Sequence, residues 1–303
     1  MTTTVPGRGR WLSAARPRTW PAAIVPVLVG GAAAYRAGAF DPMPLLLTLI
    51  GSLAIQVAAN FANDASDARR GADPADRVGP PRMVASGQIR GSAMWTACWS
   101  AIAIAAVCGV ILAMRVGPVI LWIGAASVLA LLTYVGGPIP YGYRGLGELF
   151  VFGFFGVLAT GGSRLAYDGT SPAWVWLMGI PVGMLAAAIL VANNLRDREI
   201  DARVGKNTLA VMVGEKRARL LYGGLLWGAM LFTAVIAAIG IAPELVVAGV
   251  GAAGLIPPLT RISGVAITSH MYAPLLGGTA RLHLVYGILL GVGIVLDRVL
   301  RAL

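Results

Sequence analysis

Nine stretches of this 303-residue chain are each about as long as a bilayer is thick and carry almost no charge. A membrane-crossing helix needs roughly 20 predominantly apolar residues. Lipid offers the backbone no hydrogen-bond partners, so each crossing segment must satisfy its own N–H and C=O groups. The stretches are 19–36, 42–63, 93–114, 116–135, 146–163, 172–194, 220–242, 244–260 and 282–297. Only 12% of the residues are charged and 57% are hydrophobic, whereas a soluble domain carries about a quarter charged residues. The expected fold class is an all-α integral membrane protein, a bundle of about nine transmembrane helices forming one domain over 1–303. Pro257-Pro258 makes the eighth stretch the least certain in its bounds. The uncharged segment 262–280 has room for a re-entrant or interfacial piece.

Arg8, Arg10, Arg16 and Arg18 precede an apolar run that ends in small residues, which looks like a secretory signal. Eight further spans favour a retained first helix instead. Lys and Arg placement then sets the orientation. With the N-terminus inside, the basic segment 1–18 and the loops 64–92, 136–145, 195–219 and 261–281 hold 19 of the 24 basic residues. Arg36, Arg115, Arg164, Arg298 and Arg301 fall on the other side. The net charge of +11 is therefore mostly positive-inside bias and needs no nucleic acid to explain it. Cys98 and Cys108 lie inside one span as packing residues, and His270 and His283 are isolated, so no zinc or haem site is expected.

Acid is placed less evenly than base. Of 13 acidic residues, four fall in 64–76 (Asp64, Asp67, Asp73, Asp76) and four in 197–215 (Asp197, Glu199, Asp201, Glu215). One group follows the second span, in "NFANDASDARRGAD" (60–73). The other follows the sixth, in "VANNLRDREIDARVGKNTLAV" (191–211). The spacings Asn60, Asp64, Asp67 and Asn193, Asp197, Asp201 each put their side chains on one helix face. Both helices then enter one frame, Asp67-Ala68-Arg69-Arg70-Gly71 and Asp201-Ala202-Arg203-Val204-Gly205, whose glycines suit C-caps. The match hints at an internal duplication.

Facing carboxylates repel unless a cation sits between them. Hard oxygen ligands suit Mg2+, which takes one or two carboxylates and shares its other positions with phosphate. Neighbouring arginines and lysine neutralise phosphate oxygens directly. Opening into an apolar bundle, such a mouth fits a ligand with a diphosphate head and a lipid tail. The plain alternative is a pair of solvated loops. Two clusters with asparagine ahead of aspartate, both on one side of the membrane, argue against it, and ionisable groups at membrane depth are functional candidates.

These residues resemble the intramembrane aromatic prenyltransferases of the UbiA superfamily, whose two aspartate-rich motifs follow the second and sixth helices. Within it they are most similar to the branch acting on 1,4-dihydroxy-2-naphthoate in menaquinone synthesis. The likeness rests on "RPRTWPAAIVPVLVGGAAA" (16–34), "NDASDARRGADPADRVGPPRMVASGQI" (63–89), "GGPIPYGYRGLGELFVFGFFG" (136–156) and "NNLRDREIDARVGKNTLAVMVGEKRAR" (193–219). The continuation from Asp76 to Arg82 sets that branch apart from ubiquinone and haem relatives. After residue 220 little adds to it.

The resemblance implies Mg2+, about two ions, gripping the diphosphate of a polyprenyl donor. The naphthoate ring attacks the allylic carbon and its carboxylate leaves as carbon dioxide. It implies Asp64, Asp67, Asp197 and Asp201 as metal residues, with Asn60 as a further ligand or orienter. Asn63, Asn193 and Asp73 lie beside the substrate, Asp73 being equally readable as a turn residue. Arg82, Arg196 and Lys206 contact the diphosphate, Lys206 as a catalytic group. Of Tyr134, Tyr141, Tyr143 and Glu148, which crowd the fifth span's entry, Tyr134 and Tyr143 are the candidates for a ring face toward the cation. Arg69, Arg70 and Arg203 suit membrane anchoring, and Asp168 reads as a bystander on the outer face. The partners implied are the polyprenyl diphosphate, 1,4-dihydroxy-2-naphthoate and membrane lipid, in the plasma membrane with the mouth toward the cytoplasm. A different acceptor, a CDP-alcohol phosphotransferase or a cation transporter are the alternatives; transporter sites lie nearer the midplane.

Overall fold

Each apolar stretch is helical, as lipid requires. The computed structural model describes residues 7–74, 78–136, 140–266 and 268–303. Asp76 and Arg77, part of the first charged cluster, lie outside them, as do residues 137–139 of a stretch quoted above. In chain order the helices are α1 (Gly7–Ala15), α2 (Pro21–Arg36), α3 (Pro42–Arg69), α4 (Gly91–Val116) and α5 (Val119–Val135). Next, α6 (Gly147–Val151) runs through a π-helical stretch, Phe152–Leu158, into α7 (Ala159–Asp168). Then come α8 (Ala173–Arg203), the short α9 (Leu209–Val213) and α10 (Glu215–Ala238). A 3₁₀ run, Glu244–Leu255, leads into α11 (Ile256–Val265), and α12 (Ser269–Ala302) closes the chain. Among the described residues, 7 helical segments are long and apolar enough to cross a membrane. Two more, α2 and α5, are apolar but shorter.

Three bounds differ from expectation, each for a physical reason. Pro257 and Pro258 stand at the head of α11, where a missing N–H leaves no helical bond unmade. The segment Glu244–Val265 is therefore not interrupted there. Segment 262–280 is not re-entrant: α11 uses its start, and α12 begins at Ser269 and runs 34 residues. Finally, α3 and α8 outrun their apolar stretches, to Arg69 and Arg203. At 1.5 Å per residue these extensions add roughly 9 and 14 Å of regular helix, and they carry the aspartates.

Packing is uneven around the bundle. The helices α2, α8, α10 and α12 and the 3₁₀ run share one continuous core in which Tyr222, Leu226, Leu275, Leu282, Tyr286 and Leu290 are fully buried. Its two tyrosine hydroxyls are satisfied internally, Tyr222 with Thr279 at 2.6 Å and Tyr286 with Thr233 at 2.7 Å. On the other side, α3, α4, α5 and α6–α7 wall a cavity. That wall is fixed to the solid half by a close backbone crossing. A Cβ on Gly156, in the π stretch, would lie 2.3 Å from the Cα of Gly183, and one on Gly179 would lie 2.6 Å from the Cα of Val157. Gly179 and Gly183, one turn apart on α8, are the small residues that let membrane helices touch.

At the end of the bundle away from the aspartate clusters, the five basic residues assigned to the other side are all engaged. Arg36 and Arg301 share Asp297 at 2.9 and 3.0 Å, and Arg115 meets Asp41 at 2.7 Å. Arg298 donates to the Tyr35 carbonyl. Asp168 grips the buried Arg164 through two bonds of 2.7 and 3.0 Å.

The crossing yields a prediction. Gly156→Val forces α8 off the π stretch and should lower stability by about 1–3 kcal/mol, the usual cost of overpacking. Thermal unfolding in detergent reads this directly, and an unchanged midpoint would show that the helices have slack there.

Candidate active site

Both aspartate-bearing helices stop in the same way. At the end of α3, Ala72 N–H donates to the Asp67 carbonyl (2.9 Å) and Gly71 N–H to that of Ala68 (3.2 Å). At the end of α8, Lys206 N–H donates to Asp201 (2.8 Å) and Gly205 N–H to Ala202 (3.3 Å). Gly71 and Gly205 have φ of 67° and 73°, the left-handed region that glycine enters without a Cβ penalty. These are matching Schellman caps, so the shared five-residue frame has one local geometry in both places.

The second cap aims a cation at the first motif. Lys206 stands one residue past Gly205, and its Nζ reaches Asp67 Oδ2 at 3.2 Å across 139 residues of sequence. The Tyr143 hydroxyl donates to Asp67 Oδ1 at 2.8 Å, and Lys206 Nζ lies 5.1 Å from the Tyr143 ring centre. Burial alone would lower the Lys206 ammonium, but the carboxylates of Asp67, Asp201 and Asp73 outweigh it and hold it above its ordinary value. Burial, and then the charge of Asp67, push the Tyr143 phenol well up, so it stays a donor. A single bridge between Arg144 and Asn207 ties the same two loops together.

The other acids are also partnered. Asp64 is buried and accepts the backbone N–H groups of Met83 (3.1 Å) and Val84 (2.9 Å). Asp73 accepts from Arg82 Nε at 3.1 Å. Asp197 is held by two 2.7 Å bonds from Arg196, which also donates to Asn193 Oδ1 at 2.8 Å. The loop backbone lies directly on that guanidinium, since a Cβ on Gly79 would come within 3.1 Å of its Cζ. Asp201 faces the Thr208 hydroxyl at 3.5 Å.

These groups border a cavity of about 1000 Å³. Its polar end presents Asn60, Asn63, Asp64, Asp67, Arg82, Asn193, Arg196 and Lys206, with Tyr134 at its edge. Below that, α3, α4, α5 and the π stretch supply a mainly apolar lining, interrupted by Thr48, Ser52 and Ser127, that reaches Leu47, Leu112 and Ile120. Asp73, Tyr143, Asp197 and Asp201 stand behind the lining, each bonded to a group in front of it or beside it. Tyr134, Tyr141, Phe150 and Phe154 form a ladder of rings down one wall, with centroid separations of 5.3, 3.9 and 6.0 Å.

Among the described residues no three acidic, histidine or cysteine side chains converge closely enough to hold a metal unaided. The donor set that fits a divalent cation is mixed. Asp64 and Asp67 sit with Asn63, whose Oδ1 is buried with no hydrogen-bond partner. Carboxylate and amide oxygens with room for phosphate suit Mg2+, which rarely takes an all-protein cage.

Some lining residues escape a sequence search. Asn194 lines the cavity and donates to the buried Glu148 at 2.9 Å. Arg16 faces the cavity from a left-handed backbone (φ 50°), which persists only where neighbours over-determine it. Asn60 and Trp20 both donate to the Ala15 carbonyl at 2.9 Å, and Thr19 donates to that of Arg16 at 2.9 Å. Asn60 is thus the anchor of this turn as well as a lining residue. The available signal was polarity inside an apolar run, as in the Asn193-Asn194 pair and Gln56.

A helical membrane bundle with one hollow side, ringed at its opening by groups of both charges, defines a protein that takes up an amphiphile. Residues 23–269 match the UbiA prenyltransferase family, and the chain belongs to it. It is 42% identical to the 1,4-dihydroxy-2-naphthoate octaprenyltransferase of Mycobacterium tuberculosis, over 75% of this chain and 77% of that one. Identity to the Escherichia coli enzyme of that name is 41%, over 74% and 75%. A UbiA homolog from Archaeoglobus fulgidus, solved bound to DMAPP and Mg2+, shares the fold with a TM-score of 0.62 at 17% identity, covering 93% of this chain and 98% of that one.

The Lys206–Asp67 pair can be tested by a mutant cycle. Lys206→Met and Asp67→Asn should each cost about 1–3 kcal/mol, and the double mutant less than their sum. Because the Lys206 value is raised, its stabilising contribution should be complete below the ordinary lysine range and be lost only as pH climbs through the higher folded value. Unfolding midpoints in detergent across alkaline pH measure both; strict additivity would mean that the two groups do not interact.

Proposed function

We propose that the chain transfers a polyprenyl group from a polyprenyl diphosphate to 1,4-dihydroxy-2-naphthoate, as a step toward menaquinone. The donor C–O bond breaks and diphosphate leaves; a new bond forms to the ring carbon that bears the carboxylate, and that carboxylate departs as carbon dioxide. The observation that carries this is the cavity, charged and hydrogen-bonding at one end and mainly apolar along the rest of its length. An amphiphile with a diphosphate head and a long hydrocarbon tail matches both parts, and the named relatives act on naphthoate.

The chain's own groups divide the work. Arg82, Arg196 and Lys206 face the cavity and bind the diphosphate, as Arg forks and a Lys point charge do. Arg82 and Arg196 are held in readiness by Asp73 and Asp197. Tyr134 and Tyr141 line the wall below the charges, where ring quadrupoles favour positive charge on the allylic carbon; Tyr143, the other ring candidate from the sequence, lies behind the lining on Asp67. The Tyr141 hydroxyl is tied to the Ala130 carbonyl at 2.9 Å, which fixes that ring. The apolar lining excludes water that would capture the carbon. Asp64 and Asp67, with Asn60 and Asn63 beside them, are the oxygens at the cavity that would hold Mg2+; Asp197 and Asp201, read from the sequence as ligands too, lie behind the lining on Arg196 and Thr208 and act through them. Mg2+ held there, about two ions, would supply neutralisation of the charge that develops on the leaving diphosphate. We read the bundle as nine spans in the plasma membrane with this mouth toward the cytoplasm, supported by the Lys and Arg distribution.

Purified protein given Mg2+, a polyprenyl diphosphate and a panel of aromatic acids should yield one product, the prenylated and decarboxylated naphthalene, identified by mass. Chelation should abolish turnover and Mg2+ restore it; full activity in chelator would contradict the site.

Asp64→Asn and Asp197→Asn keep shape and remove charge. Each should lower kcat/KM by roughly a hundredfold or more, about 2.7 kcal/mol on the transition-state scale. The double mutant should fall by less than the product of the two. Glu199→Gln, on the exposed face of the same helix, should behave as wild type. Near-normal turnover in a folded single mutant would remove that aspartate from the chemistry.

A further inference from the structure

We propose that Gly124, on α5, determines how long a prenyl donor the protein accepts, by leaving open the space through which a long chain must pass. The inference rests on reading the cavity as a polyprenyl diphosphate site.

Gly124 lies on the inward face of α5. Ile120, Gly124, Ser127, Val128 and Leu131 recur at helical spacing and line the cavity, with Ile120 and Leu131 buried. Trp122 and Ala126 lie on the exposed side and do not line it, whereas Leu121, Ala125 and Leu129, also exposed, border its open edge. A residue on an inward helix face normally meets a neighbour. A Cβ on Gly124 would meet no heavy atom within 4 Å. The other lining glycines each have a neighbour: a Cβ would be 3.3 Å from Ile123 at Gly162, 3.5 Å from Cys108 at Gly51 and 4.0 Å from Leu121 at Gly109. Gly124 therefore opens onto the void itself.

Nothing in the backbone asks for glycine at this position. Its φ is not positive, and no helix crosses at contact distance, in contrast to Gly156. Glycine inside a helix costs about 1 kcal/mol relative to alanine. Here that cost is offset by no turn and no close approach, and what glycine alone supplies is room.

The position lies partway down the cavity. Ten residues of α5 separate it from Tyr134 at the polar edge, about 15 Å at 1.5 Å per residue. Beyond it the lining continues to Ile120, Leu112 and Leu47. Val110 and Leu121, which line the same end, are also exposed on the bundle surface, so the far end does not itself set a limit. A short donor ends above Gly124, whereas a long one must run past it. A large side chain at 124 becomes a floor.

The test compares donors of two lengths on the full-length protein, with 1,4-dihydroxy-2-naphthoate as acceptor and products identified by mass. Gly124→Phe should keep transfer from geranyl diphosphate within about twofold of wild type while losing octaprenyl transfer by roughly tenfold or more, the scale on which apolar pockets discriminate. Gly124→Leu and Gly124→Ala should show the same bias graded by side-chain volume, which covers the case in which the phenylalanine variant does not fold. Ala126→Phe, facing outward on the same helix, should leave the ratio of the two rates unchanged. Equal rates with both donors in folded Gly124→Phe or Gly124→Leu would overturn the inference and leave the proposed reaction standing. So would a parallel loss with both donors. A wild-type protein that transfers from neither donor would defeat the proposed reaction, and this inference with it.

Discussion

A carboxylate placed where water is scarce must be met by a cation or by N–H groups, because burying it unpaired costs far more than a hydrogen bond returns. The mouth of this bundle is organised by that demand. Asp64 recruits two backbone N–H groups from the loop after α3, and so fixes where that loop lies. Asp67 recruits a tyrosine from the loop after α5 and a lysine from the loop after α8. Asp73 and Asp197 each take an arginine. Three loops that share no core are thereby held around one opening, and their anchors are the groups at the polar end of the cavity. Fold and site use the same charges here.

Much of this was legible because two of its causes are local. A bilayer-length apolar run becomes a helix whatever surrounds it, and glycine after a short polar turn ends one. Hence the helices, the two aspartate faces and the matching caps followed from spacing. What did not follow depends on distance in the fold. No pattern in residues 60–73 says that Asp64 will face Met83 and Val84, or that Asp67 will meet a lysine 139 positions on. Spacing puts Asp197 and Asn193 on one face but is silent on whether Asp197 meets the cavity or Arg196. Pro257-Pro258 misled in another way: proline breaks a helix from inside and begins one from its first turn, and only the bound of α11 distinguishes the two.

The π stretch shows how a cavity wall is held without filling the cavity. In Phe152–Leu158 the altered winding sets Phe154, Phe155 and Leu158 into the lining, while Gly156 meets α8 from behind. Such insertions are frequent at functional sites, and this one gives a single turn two faces. The backbone contact behind it explains why a wall beside a void of about 1000 Å³ need not collapse inward.

The contrast between the solid and hollow halves has a consequence for how the chain can change over time. In the core shared by α2, α8, α10 and α12, added volume displaces a neighbour and is paid in stability. At Gly124, on the cavity face of α5, an added Cβ meets nothing, so added volume there bears on what fits inside before it bears on folding. Most proteins sit close to their stability threshold, where that distinction decides which variants survive. A bundle built this way holds its scaffold constant in one half and leaves the other free to explore new substrates.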